Sequence, residues 1–293
     1  MFKMLITIFT PVYNRAYCIN RLYESLCRQT CKDFEWLIVD DGSNDNINEV
    51  IQEYIRENRI NIRFVSQPNG GKHTAINRGV SMASGDMFYI VDSDDAVPSD
   101  TVEFILKEGS RIIDNESFAG IVGCDRTFDG HVLSNMPEDA IDSDSIDIRY
   151  NRHIVGDMAE VFKTSVLKEF PFPTFAGERF SPEALVWNRI ANKYKLRFFS
   201  NILKEIEYLP DGLTAKITKL RHQSPIASSI YYSEFTRLNV PLSQKIKGAI
   251  NFWRFYVPES RDKISPLNPL LSLIGFIPGK LMRLNDRRNG QMR

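Results

Sequence analysis

The sequence predicts an α/β protein: a doubly wound, mostly parallel sheet with helices on both faces, followed by a mainly helical C-terminal appendage. Three observations carry this expectation. From Met4 to Cys124, short β-rich runs alternate with stretches of helical period, the pattern of βαβ units that build a parallel sheet. Two of those runs end abruptly in acids, Asp40-Asp41 and Asp92-Ser93-Asp94-Asp95, and open α/β sheets gather ligands at the carboxyl ends of their strands. From about Leu242 the chain changes character and becomes aromatic, apolar and finally basic. The sheet-bearing domain is expected over 1–220 and the appendage over 221–293.

Taken in order, Met4 to Thr10 is a β-rich run stopped by Pro11, and Cys18 to Arg28 carries apolar residues at helical spacing. Glu35 to Val39 is the second strand, Ile47 to Ile55 the second helix and Ile62 to Ser66 the third strand. Thr74 to Ala83 is a short helix leading through Ser84-Gly85-Asp86 to the strand that opens at Met87. Asp100 to Ile113 adds a helix and Phe118 to Cys124 a strand. Asp125 to Asp147 is polar and has no lasting period, an excursion over the surface. Pro171 to Pro182 is loop-like, Glu183 to Tyr194 resumes a helical pattern, and Pro210-Asp211-Gly212 is a turn signal. Ile246 to Tyr256 is aromatic. Pro266 to Leu284 is apolar but broken by Pro269, Pro278 and Gly279, and the basic tail holds Lys280, Arg283, Arg287, Arg288 and Arg293. The breaks count against a membrane span. An apolar face beside Lys and Arg reads either as an interfacial segment drawn to anionic lipid or as a helix packed on the core with a solvated tail.

Composition narrows the partners. The 293 residues carry 37 Lys and Arg against 37 Asp and Glu, so no global basic field argues for nucleic acid. Cys18, Cys27, Cys31 and Cys124 show no CxxC spacing, and a structural zinc site is not expected. The apolar N-terminus ends at Pro11 after too short a run for a spanning helix and has no small-residue cleavage site, so it reads as a strand of a cytoplasmic protein.

Charged Asp92, Asp94 and Asp95 cannot sit in a core without a cation or water, and belong at the rim. Two acids at i, i+2 there can present oxygens to one hard cation that also holds a phosphate; an Asp-rich turn before a helix capped by Ser99 or Asp100 is the alternative. Asp40-Asp41-Gly42-Ser43 divides the same way, between a ligand-binding strand end and an Asx turn. Gly70 and Gly71 let backbone approach a ligand, and Lys72 opens a helix whose N–H groups favour phosphate, unless the segment is simply a turn and a helix start.

Five patterns then occur in order: T-P-V-Y-N at Thr10 to Asn14, V-D-D-G-S at Val39 to Ser43, N-G-G-K-H-T-A-I-N-R-G at Asn69 to Gly79, S-G-D at Ser84 to Asp86 and D-S-D-D at Asp92 to Asp95. Together they resemble family two of the inverting nucleotide-sugar glycosyltransferases, with the GT-A fold. The resemblance implies that Pro11 and Tyr13 frame a uracil or guanine base, that Asp41 accepts a hydrogen bond from the base imino N–H, and that Lys72 serves the phosphates. It also implies that Asp92 meets the ribose or the metal and that Asp94 ligates Mn²⁺ or Mg²⁺ through the diphosphate. Asp95 is a candidate for an outer contact to the metal site or for substrate. Asn77 and Gly79 match the family's helix pattern, but Ile76 replaces a frequent Arg, which leaves a side-chain contact from that helix to the diphosphate open.

An inverting transfer needs a base to take the proton of the acceptor hydroxyl. In the family it comes from an acidic motif at a helix start well beyond the DxD, often Glu-Asp, and the matching place is Ser181-Pro182-Glu183-Ala184, preceded by Gly177-Glu178. With Ala184 in place of the second acid, Glu183 is the expected base and Glu178 the alternative; a solvated acid in a first helical turn is the competing reading. Asp157 and Glu160 fall where the family binds acceptor or donor sugar. His222 is a candidate third metal ligand or a surface residue, and His73 a phosphate-side residue rather than a catalyst.

The implied activity is metal-dependent transfer of a hexose or N-acetylhexosamine from a UDP- or GDP-sugar to a hydroxyl of a glycan or lipid-linked acceptor in cell-surface polysaccharide synthesis. The implied setting is cytoplasmic, with peripheral contact to the inner face of the cell membrane through the C-terminus and no nucleic acid partner. A nucleotidyltransferase would carry a Gly-rich basic loop after its first strand, where this chain has T-P-V-Y-N-R. A nucleotide-sugar-binding protein without catalysis is the reading that Ala184 keeps open.

Overall fold

The computed structural model describes residues 4–209, 212 and 214–292; the expected turn at Pro210-Asp211 and the terminal Arg293 lie outside them. The chain divides into two compact units, the first made of Met1–Ser145, Ile154–Pro171 and Ile190–Glu207, the second of Ile146–His153, Phe172–Arg189 and Tyr208–Arg293.

The first unit is built on strands β1 (Ile6–Val12), β2 (Phe34–Asp40), β3 (Ile62–Ser66), β4 (Met87–Ile90), β5 (Phe118–Thr127), β6 (Ile141–Ser143), β7 (Met158–Lys163) and β8 (Lys195–Ile206). They form one eight-stranded sheet in the order β3-β2-β1-β4-β7-β5-β8-β6. β1 runs parallel to β2 and β4, β2 to β3, and β5 to β8, whereas β7 is antiparallel to β4 and β5, and β6 to β8. Helices α1 (Ile19–Cys27), α2 (Ile47–Glu57), α3 (Lys72–Met82), α4 (Thr101–Ser110) and α5 (Thr164–Glu169) connect the strands. Every residue of β1 and β2 is buried, which is why these runs lack the polar-apolar alternation of a half-exposed strand. α1 turns Ile19, Leu22, Tyr23 and Leu26 inward, and Tyr23 stacks on Tyr54 of α2 with ring centroids 3.8 Å apart.

β1 does not stop at Pro11. The carbonyl of Phe9 accepts from Val91, and successive residues of a strand face alternate neighbours, so Phe9 and Pro11 face the β4 side. The last β1–β4 pair is Phe9 with Ile90, so the N–H that proline lacks would have pointed past the end of β4 and costs the ladder nothing. β7 and β8 were not legible as strands. β7 buries both faces, and β8 changes register against β5 between Val122 and Cys124 and again before Asp125, which destroys a period of two.

The second unit contains the first turns of α6 (Glu183–Ala191), then α7 (Ile217–Gln223), α8 (Pro225–Phe235), α9 (Leu242–Phe255) and α10 (Pro269–Arg288). α10 runs unbroken across Gly275, Pro278 and Gly279, against the interruption expected from sequence. Pro269 occupies its first turn, where no N–H is needed, and Asn268 caps it by accepting from the N–H groups of Leu270 and Leu271. Gly275 and Gly279 make the close approach to α9 possible: a Cβ on Gly275 would lie 2.6 Å from the Ala249 carbonyl carbon, and one on Gly279 would lie 2.4 Å from the Ile250 oxygen. Packing along α9 offsets the one hydrogen bond that Pro278 removes. Among the described residues no helix is long and apolar enough to cross a membrane.

Candidate active site

Three parallel strands deliver the predicted donor residues to one edge of the first unit. Pro11 ends buried in β1, and Tyr13 follows it, 46% exposed. Asn14, held at φ 54°, ties the loop after β1 to the loop after β2: its N–H donates to Ser43 Oγ at 2.8 Å and its side-chain oxygen accepts from the Asn44 N–H at 2.7 Å. The Asx turn belongs to Asp40, whose Oδ1 accepts from the Ser43 N–H at 2.9 Å.

Asp41 has a different task. Its Oδ1 accepts from the Gly70 N–H at 2.9 Å and from Gln67 Nε2 at 2.8 Å, while Oδ2 accepts from the Gly71 N–H at 2.7 Å. The carboxylate therefore folds the glycine turn that precedes α3. Gly71 takes φ 92°, a conformation few side-chain-bearing residues adopt, and α3 begins at Lys72, where the Gly-Gly-Lys step places a helix start. Lys72 reaches back across the strand ends and places Nζ 2.8 Å from each oxygen of Asp92. Burial pushes the Asp92 carboxyl up, but Lys72, Lys204 and Arg15 outweigh it and hold the group below its ordinary value. His73, on the next position, is buried, and burial lowers its pKa.

After β4 the chain turns, with the Asp95 N–H donating to the Asp92 carbonyl at 3.1 Å, and Ala96 exchanges two hydrogen bonds with Glu205 of β8. Arg21 on α1 donates to the Asp94 carbonyl and pairs with Glu207 at 2.9 Å. The backbone that carries the acids is thus latched from two directions. The Asp94 carboxyl is raised by burial and by the neighbouring Asp92 charge, the condition that a cation would relieve. Asp95 points inward. Burial pushes it up to about 8, and Lys204 Nζ lies 3.9 Å from it and 3.4 Å from Asp125 at the end of β5. Asp125 is buried, is pushed up to about 6 by burial, and its Oδ1 has no hydrogen-bond partner among the described residues.

Among the described residues no group of three or more His, Cys, Asp or Glu side chains is placed to hold a metal ion. Asp92 and Asp94 nevertheless form a donor set of hard oxygens suited to Mg²⁺ or Mn²⁺, ions that commonly take one or two carboxylates and complete their shell from phosphates and water.

Of the remaining predicted residues, Glu183, Glu178 and His222 belong to the second unit. Glu183 is the first residue of α6, directly after Pro182. Glu178 caps α8, its two oxygens accepting from the N–H groups of Ile226 at 2.6 Å and Ala227 at 2.9 Å; burial raises its pKa despite these bonds. His222 is buried, with Nε2 2.8 Å from Asp286 of α10, and Arg254 of α9 grips the same carboxylate through Nε at 2.6 Å and Nη2 at 2.7 Å. Asp157 and Glu160 lie just before and within β7. Sequence reasoning missed Arg21, Gln67, Asp125 and Lys204. Asp125 alone carried a signal, since it ends an apolar strand as Asp40 and Asp92 do.

A doubly wound sheet with acids and a glycine turn at its strand ends is the GT-A architecture of nucleotide-sugar glycosyltransferases. Residues 7–138 match the family model described as "Glycosyl transferase family 2". It is 38% identical over 133 residues to the chondroitin synthase of Pasteurella multocida (strain Pm70), covering 45% of this chain but only 13% of that protein. A longer alignment, 26% identical over 204 residues, covers 66% of this chain and 61% of a Campylobacter jejuni protein described as "GalNAc(5)-diNAcBac-PP-undecaprenol beta-1,3-glucosyltransferase". The solved structure of Staphylococcus aureus TarS 1-349 in complex with UDP-GlcNAc has the same fold, with TM-score 0.62 at 20% identity over 98% of this chain and 93% of that one.

Proposed function

We propose that the chain is an inverting glycosyltransferase that moves a hexose or N-acetylhexosamine from a UDP- or GDP-sugar to a hydroxyl of a glycan or lipid-linked acceptor in cell-surface polysaccharide synthesis. The observation that carries this reading is the convergence of the Asp41-bound glycine turn, Lys72, Asp92 and Asp94 on neighbouring strand ends. In it, residues 1–220 bind the donor and perform the transfer, and 221–293 form an appendage. The lipid-linked acceptor is supported by the undecaprenol-linked substrate in the Campylobacter relative's description, and it implies work at the inner face of the cell membrane with peripheral contact there.

Pro11 and Tyr13 frame the base, and Asp41 holds the turn that the nucleotide meets and has one lone pair left, on Oδ2, to accept from the base imino N–H. Lys72 brings an ammonium to the phosphates and releases Asp92 as it does so. Asp92 and Asp94 would hold a divalent ion, Mn²⁺ or Mg²⁺, which would supply neutralisation of the leaving diphosphate's charge. Glu183 takes the proton of the acceptor hydroxyl as its oxygen bonds to the anomeric carbon; the sugar–phosphate bond breaks with its electron pair on the diphosphate, and the configuration inverts. Glu178 caps α8; Glu183, the first residue of α6, stands at the helix start where the family's acidic motif falls and is the proposed base. Two carboxylates suffice for the ion without His222, whose Nε2 is engaged by Asp286.

The test is nucleotide release from a panel of UDP- and GDP-sugars with Mn²⁺ and glycan or lipid-linked acceptors. Wild type consumes at least one donor, and Glu183→Gln lowers kcat by about 10²- to 10⁴-fold with little change in donor KM. No consumption of any donor sinks the enzyme reading, whereas full transfer by Glu183→Gln reassigns the base. Donor binding without turnover would point instead to the binding-protein reading that Ala184 supports.

A further inference from the structure

We infer that the outward face of α10 docks the chain on an anionic lipid surface; the inference rests on the proposed membrane setting and gives it a site. Leu270, Leu273, Ile274, Ile277, Leu281 and Leu284 are 41–74% exposed. At about 100° per residue they fall within roughly 100° of arc, opposite the Gly275, Gly279 and Asp286 side that packs in the second unit. Together they expose on the order of 600 Å², the upper end of what a soluble monomer ordinarily shows. The stripe is therefore neither a core face nor a scatter of single apolar residues.

Its borders select the occupant. Lys280, Arg283 and Arg287 lie together along one edge of the stripe, and Arg288 follows at the end of the helix. The one acid on α10, Asp286, is buried and held by Arg254 and His222. An apolar stripe with bases along one edge and no exposed acid on its helix complements a bilayer carrying anionic headgroups. A second copy of the chain would instead bring the same positive excess against itself. The helix is also rigidly mounted. Its glycines seat it on α9, Trp253 Nε1 donates to the Ser272 carbonyl at 3.1 Å, and Lys280 lies 5.4 Å from the Trp253 ring centre. Binding would then not require the helix to fold, the usual cost for an amphipathic segment.

The experiment is flotation of the full chain, without donor or metal, on vesicles of phosphatidylcholine alone and of phosphatidylcholine with phosphatidylglycerol, at low and high salt. Wild type floats with the anionic vesicles, less so as salt rises. Leu273→Glu with Ile277→Glu abolishes flotation, and Arg287→Gln with Arg288→Gln weakens it by tenfold or more, as two lost surface charges of about 1 kcal/mol each require. All four residues are exposed, so unchanged thermal unfolding of both variants is expected and shows the loss to be a surface effect. Flotation that is absent, or equal on neutral vesicles, overturns the inference. So does a lipid-free dimer that Leu273→Glu with Ile277→Glu dissociates, because the face would then belong to a second copy. Nucleotide binding measured on the same variants separates this outcome from failure of the donor site.

Discussion

Asp41→Asn is a sharp probe of the loop that shapes the proposed nucleotide site. The substitution preserves volume and turns one carboxylate oxygen into an NH₂ group. If Oδ1 remains the oxygen, it still accepts from Gly70 and Gln67, but the new amide nitrogen faces the Gly71 N–H at a separation that is 2.7 Å in wild type. Flipping the amide is worse, because two donors then meet the NH₂. Asp41 is 3% exposed, so water cannot replace the lost acceptor. One hydrogen bond to a charged group contributes about 1.5–3 kcal/mol, and changing the other two from charged to neutral acceptors removes roughly 0.5–1 kcal/mol each. The expected loss is about 3–4 kcal/mol. At about 2–4 °C per kcal/mol for a chain of this size, the Tm of the sheet-bearing unit falls by roughly 6–15 °C. Thermal unfolding followed by circular dichroism, paired with urea titration, reads the change directly. A variant within a degree or so of wild type would refute the view that Asp41 organises the Gly70-Gly71 turn.

Two further variants address the rest of the chain. Gly279→Ala places a Cβ 2.4 Å from the Ile250 oxygen and 2.7 Å from Trp253 Cβ, so α10 must move off α9; a loss of about 1–3 kcal/mol is expected in urea denaturation, and unchanged stability would contradict the close helix crossing. Asp125 has a folded pKa raised by burial to about 6 against an ordinary 3.8, so the folded state binds the proton more tightly than the unfolded chain. Its contribution to stability is present at low pH and is lost as pH rises from about 4 through about 6, by an amount on the order of 3 kcal/mol. Asp125→Asn removes this dependence. The wild-type stability, measured relative to the variant, therefore declines across that window, and a constant difference between the two proteins would sink the assignment.

The gathering of Asp41, Lys72, Asp92 and Asp94 at strand ends was legible because its signals are local. Apolar runs that end in Asp40-Asp41 and Asp92-Ser93-Asp94-Asp95 announce strand ends, and a Gly-Gly-Lys step announces a helix start beside them. What the sequence hid was set by tertiary partners. β8 lost its alternation to register shifts against β5, and the continuity of α10 through Pro278 depends on glycines that fit α9. The pairs Arg21 with Glu207, Lys204 with Asp125, and His222 with Asp286 join residues far apart in the chain. For the same reason a lone His in K-L-R-H-Q gave no hint that it would be buried against a carboxylate and a guanidinium. Asp125 stands between these cases: its position after an apolar strand was visible, but the lysine that faces it was not.

The central claim is that the strand end at Asp92 and Asp94 holds a nucleotide diphosphate through a divalent ion. Calorimetric titration of UDP-GlcNAc, UDP-glucose and GDP-mannose into wild type and Asp94→Asn, each with Mn²⁺ and with a chelator, tests it most directly. At least one donor binds wild type with Mn²⁺ in the expected outcome, and removing the ion or the Asp94 charge weakens binding by about tenfold or more, at least about 1.4 kcal/mol. Equal affinity in all four conditions, or no binding of any donor to a folded wild-type chain, would contradict it.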